Sequence, residues 1–337
     1  ARTRSLDISE PHICARLAIL CVACMTVFLS LPLDVYFALC LIPHILILVY
    51  MYLHSSGIVT YTAEIDKDLW KKFFIGSLPL LLSALCIFSY HRIDHFMIIH
   101  FLGTDSLGTY ALATRLVEYI TILAVAVMVP VFPLLARHAR DAKRFIGLSD
   151  YAFKYTAYAV IPVAAYIFLL ADSIVTRLFI PQFHNAAHII RLLIWSEIFV
   201  FFGIVNNSIL IARDLLKHDL LFTGSSALVN ILLNFLLIPR FGLSGAAFAT
   251  VTSYATGPVL GLMCAKTHRY SRMMLRHSAV PALLVSAVFT AVYYDIMSRG
   301  TVIIIFPALF LILCGMSFQR NRKNIQKLIG NQEEKKK

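Results

Sequence analysis

Residues 227–250 read ALVNILLNFLLIPRFGLSGAAFAT. The first half is apolar except for Asn230 and Asn234, four residues apart and so on one helix face. Pro239-Arg240-Phe241-Gly242 then interrupts the run. A cluster of small residues follows, Gly242, Gly245, Ala246, Ala247 and Ala249, which lets helix backbones approach closely. Extended outward, this stretch gives two apolar segments, 219–238 and 245–264. Each meets the length of about 20 residues that a hydrocarbon core requires.

The same character runs through the whole chain. Apolar residues make up 59% and charged residues 14%, with a mean hydropathy of +0.79. A soluble domain needs far more polar surface than this to cover its core. The expected fold is all-α, a polytopic transmembrane helix bundle of ten spans. They are 13–31, 33–53, 73–101, 107–135, 151–170, 188–211, 219–238, 245–264, 278–294 and 301–318.

Charge placement supports that division. Taking the connecting segments alternately, one set (1–12, 54–72, 136–150, 212–218, 265–277 and 319–337) holds 22 lysines and arginines. The other set holds three, Arg177, Arg240 and Arg299. Positive charge concentrates on the cytoplasmic side of membrane proteins, so both termini are expected in the cytoplasm. The net charge of +12 is a topology signal by this reading. No basic face with interleaved aromatics points to nucleic acid. Segment 136–150 reads either as a basic interfacial helix or as a solvated loop.

Seven cysteines, Cys14, Cys21, Cys24, Cys40, Cys86, Cys264 and Cys314, lie inside or at the ends of apolar runs. None has metal-ligand spacing with histidine support, and Cys21-x-x-Cys24 reads as two packed thiols. The chain opens Ala-Arg-Thr-Arg, without Met or a signal peptide, which reads as a loop between helices. No nucleotide-binding glycine loop or nucleophile elbow occurs, so neither a cofactor nor an enzymatic centre is expected.

Ionisable groups in a bilayer face a bundle interior or a wet cavity. Five stand out: Arg92, Asp94, Arg115, Glu118 and Arg191. Arg92 lies roughly 30 Å along its helix and Arg115 roughly 12 Å into the next, both in the outer half. A structural reading pairs Arg115 with Glu118 and lets Arg92 snorkel to the headgroups. A functional reading has Arg115 and Arg92 line a cavity that attracts an anion, because the guanidinium fork matches phosphate oxygens. Arg191 fits the interface. His91 and His95 stand at metal-binding spacing without a third ligand, and Asp94 is expected on a different face from His95. The amides of Asn206, Asn207, Asn230 and Asn234 serve either as packing contacts or as a polar cavity wall. Pro79, Pro130, Pro133, Pro162, Pro281 and Gly257-Pro258 mark sites where a span can bend.

Two stretches carry a family resemblance. Tyr90-His-Arg-Ile-Asp94, Leu102-Gly103 and Gly108-Thr-Tyr-Ala-Leu-Ala-Thr-Arg-Leu116 resemble the R-x-D…LG…GxYxxAxRL pattern of polysaccharide flippases. Residues 227–250 resemble that family's NxxLNxxLIPxFGxxGAAxAT segment, and Phe132-Pro133 also fits. The resemblance is to the O-antigen and exopolysaccharide flippases of the multidrug/oligosaccharidyl-lipid/polysaccharide exporter superfamily. It implies two helical lobes around a central, often cationic cavity. The implied activity is transfer of undecaprenyl-diphosphate-linked oligosaccharide across the inner membrane. In that family the helix matching Arg92-x-Asp94 opens the second lobe. Here it is the third span, so the first lobe is expected to be incomplete in this sequence.

The expected organisation is therefore 1–60, the last two helices of the first lobe; 61–268, a six-helix second lobe; 269–318, two additional helices; and 319–337, a basic cytoplasmic tail. Arg115 and Arg92 are the expected substrate-binding cations, with Asn207, Asn230 and Asn234 as polar wall. Glu118 and Asp94 are the candidate carriers for a coupling H+ or Na+. The expected partners are the lipid-linked oligosaccharide and membrane lipids. Three alternatives remain: a cation-coupled multidrug exporter, a membrane-bound polysaccharide polymerase or ligase, and a non-functional remnant of a flippase.

Overall fold

The computed structural model describes residues 17–22, 24–26, 28–29, 32–56, 66–293, 315 and 319. The span expected at 301–318 and the tail 319–337 lie outside the described residues except at 315 and 319, and the span expected at 13–31 lies only partly within them. Cys14 and Cys314 are also outside.

Every regular element among the described residues is helical. In chain order they are α1 (Leu33–Ser56), α2 (Lys67–Leu102), α3 (Thr104–Glu118), α4 (Thr121–Arg137), α5 (Ala142–Leu178), a short 3₁₀ turn (Pro181–Phe183), α6 (Ala186–Leu193), α7 (Ser196–Ala212), α8 (Leu216–Met263) and α9 (His268–Tyr293). The chain divides into two compact units, Ala1–Phe73 and Phe74–Lys337.

Six helices are long and apolar enough to cross a membrane among the described residues, or seven if the bent pair 181–193 and 196–212 forms one span. Their outer faces suit lipid. Phe96, Ile122, Val129, Phe235, Phe248 and Leu283 are each more than half exposed. In water such a surface would drive aggregation, whereas in a bilayer it is the expected boundary.

The helices run further than the apolar segments suggest. α2 starts at Lys67, where the Asp66 carboxylate accepts the backbone N–H groups of Asp68 and Leu69, both at 3.0 Å. α5 starts within the basic segment 136–150. There Asp141 caps the helix by accepting the Arg144 N–H at 3.1 Å, with the Arg144 guanidinium 3.3 Å away. Such caps satisfy the first orphan N–H groups.

The segment 107–135 lies within one span, Thr104–Arg137; the hydrogen-bond ladder lapses at Tyr119–Ile120, which divides it into α3 and α4, but both residues keep helical dihedrals. The segment 188–211 begins earlier, at Pro181, and bends by 49° between Leu193 and Ser196. Helices run on through Pro79, Pro130, Pro133, Pro162, Pro258 and Pro281.

α8 folds back on itself at Gly242, whose φ of 59° and ψ of −139° suit only glycine. The two arms lie antiparallel. Asn230 Nδ2 donates to Ser253 Oγ at 3.0 Å, and Asn234 Nδ2 donates to Asn230 Oδ1 at 3.0 Å. Gly245 sits so close to the first arm that a Cβ there would come within 2.3 Å of the Leu237 carbonyl oxygen. The segments 219–238 and 245–264 are thus the two arms of one hairpin.

α5 is central to the second unit and packs against α4, α6, α7 and α9. Its buried face alternates small and large residues: Ala157, Ala164 and Ala171 let neighbours approach, while Phe145, Phe153 and Val160 fill the space between. A polar knot fastens the other side. Asp94 of α2 is 3% exposed and accepts the Tyr110 hydroxyl of α3 at 2.8 Å. The Tyr110 oxygen stands 3.3 Å from Thr250 Oγ1 on the second arm of α8.

Substituting Gly245→Val should force the arms apart and cost about 1–3 kcal/mol, the usual range for overpacking. Gly242→Ala should cost a similar amount, about 1–3 kcal/mol, through its dihedrals. Gly76→Ala, which meets open space, should not lower stability. Thermal unfolding in detergent checks all three. Tyr110→Phe should cost about 1–3 kcal/mol by leaving an Asp94 oxygen without its donor, read as a lowered melting midpoint in the same assay.

Candidate functional site

The second unit encloses a cavity of about 380 Å³. α2 supplies Tyr90 and His91 to its wall, α4 Thr121, α5 Phe153, α7 Asn206 and Asn207, and α8 Asp219 and Tyr254. Helix order explains this mixture. α7 turns a largely apolar face to the cavity until its last two turns, where the paired amides arrive. Asn207 Nδ2 donates to Asp219 Oδ1 at 3.0 Å. At another part of the wall, Tyr254 Oη stands 2.9 Å from His91 Nδ1, and the Tyr90 ring packs edge-on to Tyr254 with centroids 4.9 Å apart.

Arg92, Arg115 and Glu118 come together. Glu118 Oε2 lies 3.6 Å from Arg92 Nη2 and 3.7 Å from Arg115 Nη1. One carboxylate answers two guanidiniums, so the cluster keeps one net positive charge. The Arg115 side chain is 62% exposed, and Arg92 and Glu118 are about half as exposed. None of the three is among the residues lining the cavity. The expected pairing of Arg115 with Glu118 is present and Arg92 joins it, whereas the expectation that Arg115 and Arg92 line a cavity is not met by this one.

Asp94 is tied into the polar knot on three sides. Besides Tyr110, its Oδ1 accepts the backbone N–H of His95 and lies 2.8 Å from His95 Nδ1. The expectation that Asp94 and His95 occupy different faces is therefore corrected. The aspartate side chain is short enough to fold back onto the start of its neighbour, which α-carbon spacing alone does not reveal. His91 and His95 are held by different partners, Tyr254 and Asp94.

Asn230 and Asn234 are fully buried between the arms of α8 and do not line the cavity, whereas Asn207 does. Arg191 pairs with Asp172 of α5. The sequence reading passed over two buried acids, Glu197 and Asp219. Glu197 is an acidic residue embedded in an apolar run, the same signal that picked out Glu118, whereas Asp219 directly follows Lys217 and His218 at the end of a charged segment and gave no such signal. Glu197 accepts the Thr121 hydroxyl at 2.8 Å.

Comparisons with known proteins place this geometry. Residues 3–188 match the family model described as polysaccharide biosynthesis protein. An uncharacterized membrane protein of Methanocaldococcus jannaschii is 28% identical over 167 residues, which cover 48% of this chain and 32% of the relative. The probable low-salt glycan biosynthesis flippase Agl15 of Haloferax volcanii is 25% identical over 182 residues, which cover 53% of this chain and 39% of the relative. The chain thus matches about a third to two-fifths of the length of these relatives.

Two solved structures share the fold. The lipid II flippase MurJ, in an inward closed conformation, superposes with a TM-score of 0.65 at 16% identity, covering 92% of this chain and 66% of that one. An outward-facing multidrug resistance MATE family transporter of the MOP superfamily gives 0.52 at 20% identity, with 65% and 53% covered. The architecture is therefore a multi-pass membrane helix bundle with the fold of these two proteins. With more than half of its length matched by one family model, the chain belongs to the polysaccharide biosynthesis protein family.

Proposed function

We propose that this chain carries the second lobe of a flippase that moves undecaprenyl-diphosphate-linked oligosaccharide from the inner to the outer leaflet. The glycan would belong to O-antigen, capsule or exopolysaccharide synthesis. The observation that carries the reading is the family match, joined to a cluster of two guanidiniums answered by one carboxylate. A diphosphate is the anion best suited to planar guanidinium forks. The transporter fold and the flippase named among the relatives support the same class.

In this reading Arg115, the more exposed of the pair, meets the diphosphate, and Arg92 holds Glu118 and adds to the local field. Asn207 belongs to the polar wall. Asn230 and Asn234 keep the α8 arms in register beside it. Asp94 and Glu118 are the candidate carriers of a coupling H+ or Na+. The proposed organisation is 1–60, 61–268, 269–318 and 319–337. Counting the α8 hairpin as two crossings and adding the apolar segments 13–31 and 301–318 gives ten spans, with both ends of the chain in the cytoplasm of an inner membrane.

A second reading, export of organic cations, draws on one observation. The carboxylate of Asp219 lines a cavity whose wall, among the described residues, holds no lysine or arginine. Uptake of ethidium into everted vesicles separates the two, because only the second reading expects it.

Complementation of a flippase-null strain with the full-length gene tests the main proposal. Arg115→Ala should lower surface glycan about tenfold or more, the scale of losing one charge-assisted contact. Arg115→Lys should lose less, since it keeps the charge but not the fork. Unchanged glycan with the alanine variant would remove Arg115 from the site. Orientation is checked in a cysteine-free background: Arg140→Cys should label only from the cytoplasmic side, and Gln182→Cys only from outside.

A further inference from the structure

α5 and α9 run parallel from the same end of the bundle. Three contacts mark the pairing. The rings of Phe145 and Tyr270 have centroids 6.4 Å apart, His277 Nε2 stands 2.8 Å from Asp150 Oδ1, and the rings of Phe168 and Phe289 are 5.3 Å apart. Both helices start in or beside basic segments, 136–150 and 265–277, and both turn apolar just beyond the Asp150–His277 contact. Tyr151, Tyr155 and Tyr158 follow on α5, as the aromatic belt at a membrane–water boundary would. The contact therefore lies at headgroup level.

Cations gather around it in excess. Arg276 of α9 and Lys154 of α5 act on the Asp150 carboxylate from the two helices. That carboxylate is engaged by His277, and among the described residues neither cation has an ion pair of its own. Lys154 lies instead over the Tyr158 ring, 5.9 Å from its centroid. Arg272 stands one turn before Arg276 on the same face, and both are exposed. Three fixed cations thus share one carboxylate, which leaves a surplus of two positive charges with His277 neutral.

The same face of α9 changes character one turn further in. Arg272 and Arg276 are followed at helical spacing by Val280 and Leu283, which are 50% and 69% exposed. From the helix end inward the stripe reads cation, cation, aliphatic, aliphatic. A free anion or a soluble acidic peptide leaves the aliphatic half uncovered. A phospholipid matches both halves, with its phosphate at the guanidiniums and an acyl chain along Val280 and Leu283. A zwitterionic headgroup brings its own ammonium beside the phosphate and leaves the surplus charge unanswered. An anionic headgroup answers it.

We propose that the junction of α5 and α9 binds an anionic phospholipid of the leaflet at that end of the bundle, with its phosphodiester held by Lys154, Arg272 and Arg276. The headgroup ties two cations of α9 to one of α5 and so fastens α9 to the central helix. His277 occupies Asp150 and keeps that carboxylate from filling the place of the phosphate. The inference is independent of the flippase reading, since it concerns a lipid that stays in its leaflet.

Thermal unfolding of the full-length protein in neutral detergent, with lipid added, tests the site. Dioleoylphosphatidylglycerol should raise the midpoint by about 3–5 °C, the scale expected of a ligand well above its dissociation constant. Dioleoylphosphatidylcholine or inorganic phosphate at the same concentration should raise it by less than about 1 °C. Lys154→Gln combined with Arg276→Gln should lose most of the increment. Arg177→Gln combined with Arg240→Gln removes the same charge from exposed positions at the far end of α5 and the tip of the α8 hairpin, and should keep it. An equal response to phosphatidylcholine or to phosphate overturns the anionic lipid as occupant. A full increment without Lys154 and Arg276 overturns the site, and so does an equal loss in the Arg177 and Arg240 pair, which would leave net charge alone at work. If the first glutamine pair fails to fold, Arg272→Glu on the exposed face of α9 should cut the increment by at least half, and an unchanged increment there overturns the proposal.

Discussion

The buried carboxylate of Asp94 is the interaction on which the second unit depends. A charge sealed from water inside an apolar solvent is tolerable only when donors surround it. Here the donors come from Tyr110 and from the backbone and ring of His95, and Tyr110 extends the contact to Thr250. α2, α3 and the second arm of α8 must therefore keep one relative placement. The Glu118 cluster lies one further helix turn or two along α3 from Tyr110, so its position is inherited from this knot.

Acidic groups in this bundle are answered in different ways, and the differences assign their roles. Asp94 receives the Tyr110 hydroxyl and the backbone and ring nitrogens of His95. Glu118 receives two guanidiniums and leaves a surplus of positive charge near the more exposed of them. Asp219 receives an amide at the cavity wall. Glu197 receives a single hydroxyl. A polar network that is fully satisfied rigidifies, while a sparsely satisfied one is free to change state.

Much of this was legible in the sequence for a physical reason. Lipid imposes one length and one polarity on every span, so hydropathy alone located α1, α2, α5 and both arms of α8. Pro239 and Gly242 announced the turn between those arms. The bend at 194–195 was not legible, because no proline or glycine marks it. Side-chain partners were harder still. Arg115 with Glu118 followed from helical spacing, but Asp94 with His95 depends on a rotamer, and Glu197 with Thr121 joins residues 76 positions apart. Glu197 escaped notice because its neighbours Ile198 to Phe202 read as plain core.

The hairpin of α8 has a consequence for how the chain enters its membrane. Its arms are joined at a single glycine and contact each other along their length, from Leu237 with Gly245 to Asn230 with Ser253. Neither arm alone can satisfy its buried amides, since Asn230 needs Ser253 from the other. During synthesis the first arm therefore has reason to wait for the second at the insertion machinery and leave with it. Arg240 is the only charge near the tip, so a paired entry carries one cation through the hydrocarbon rather than exposing two bare amides to it.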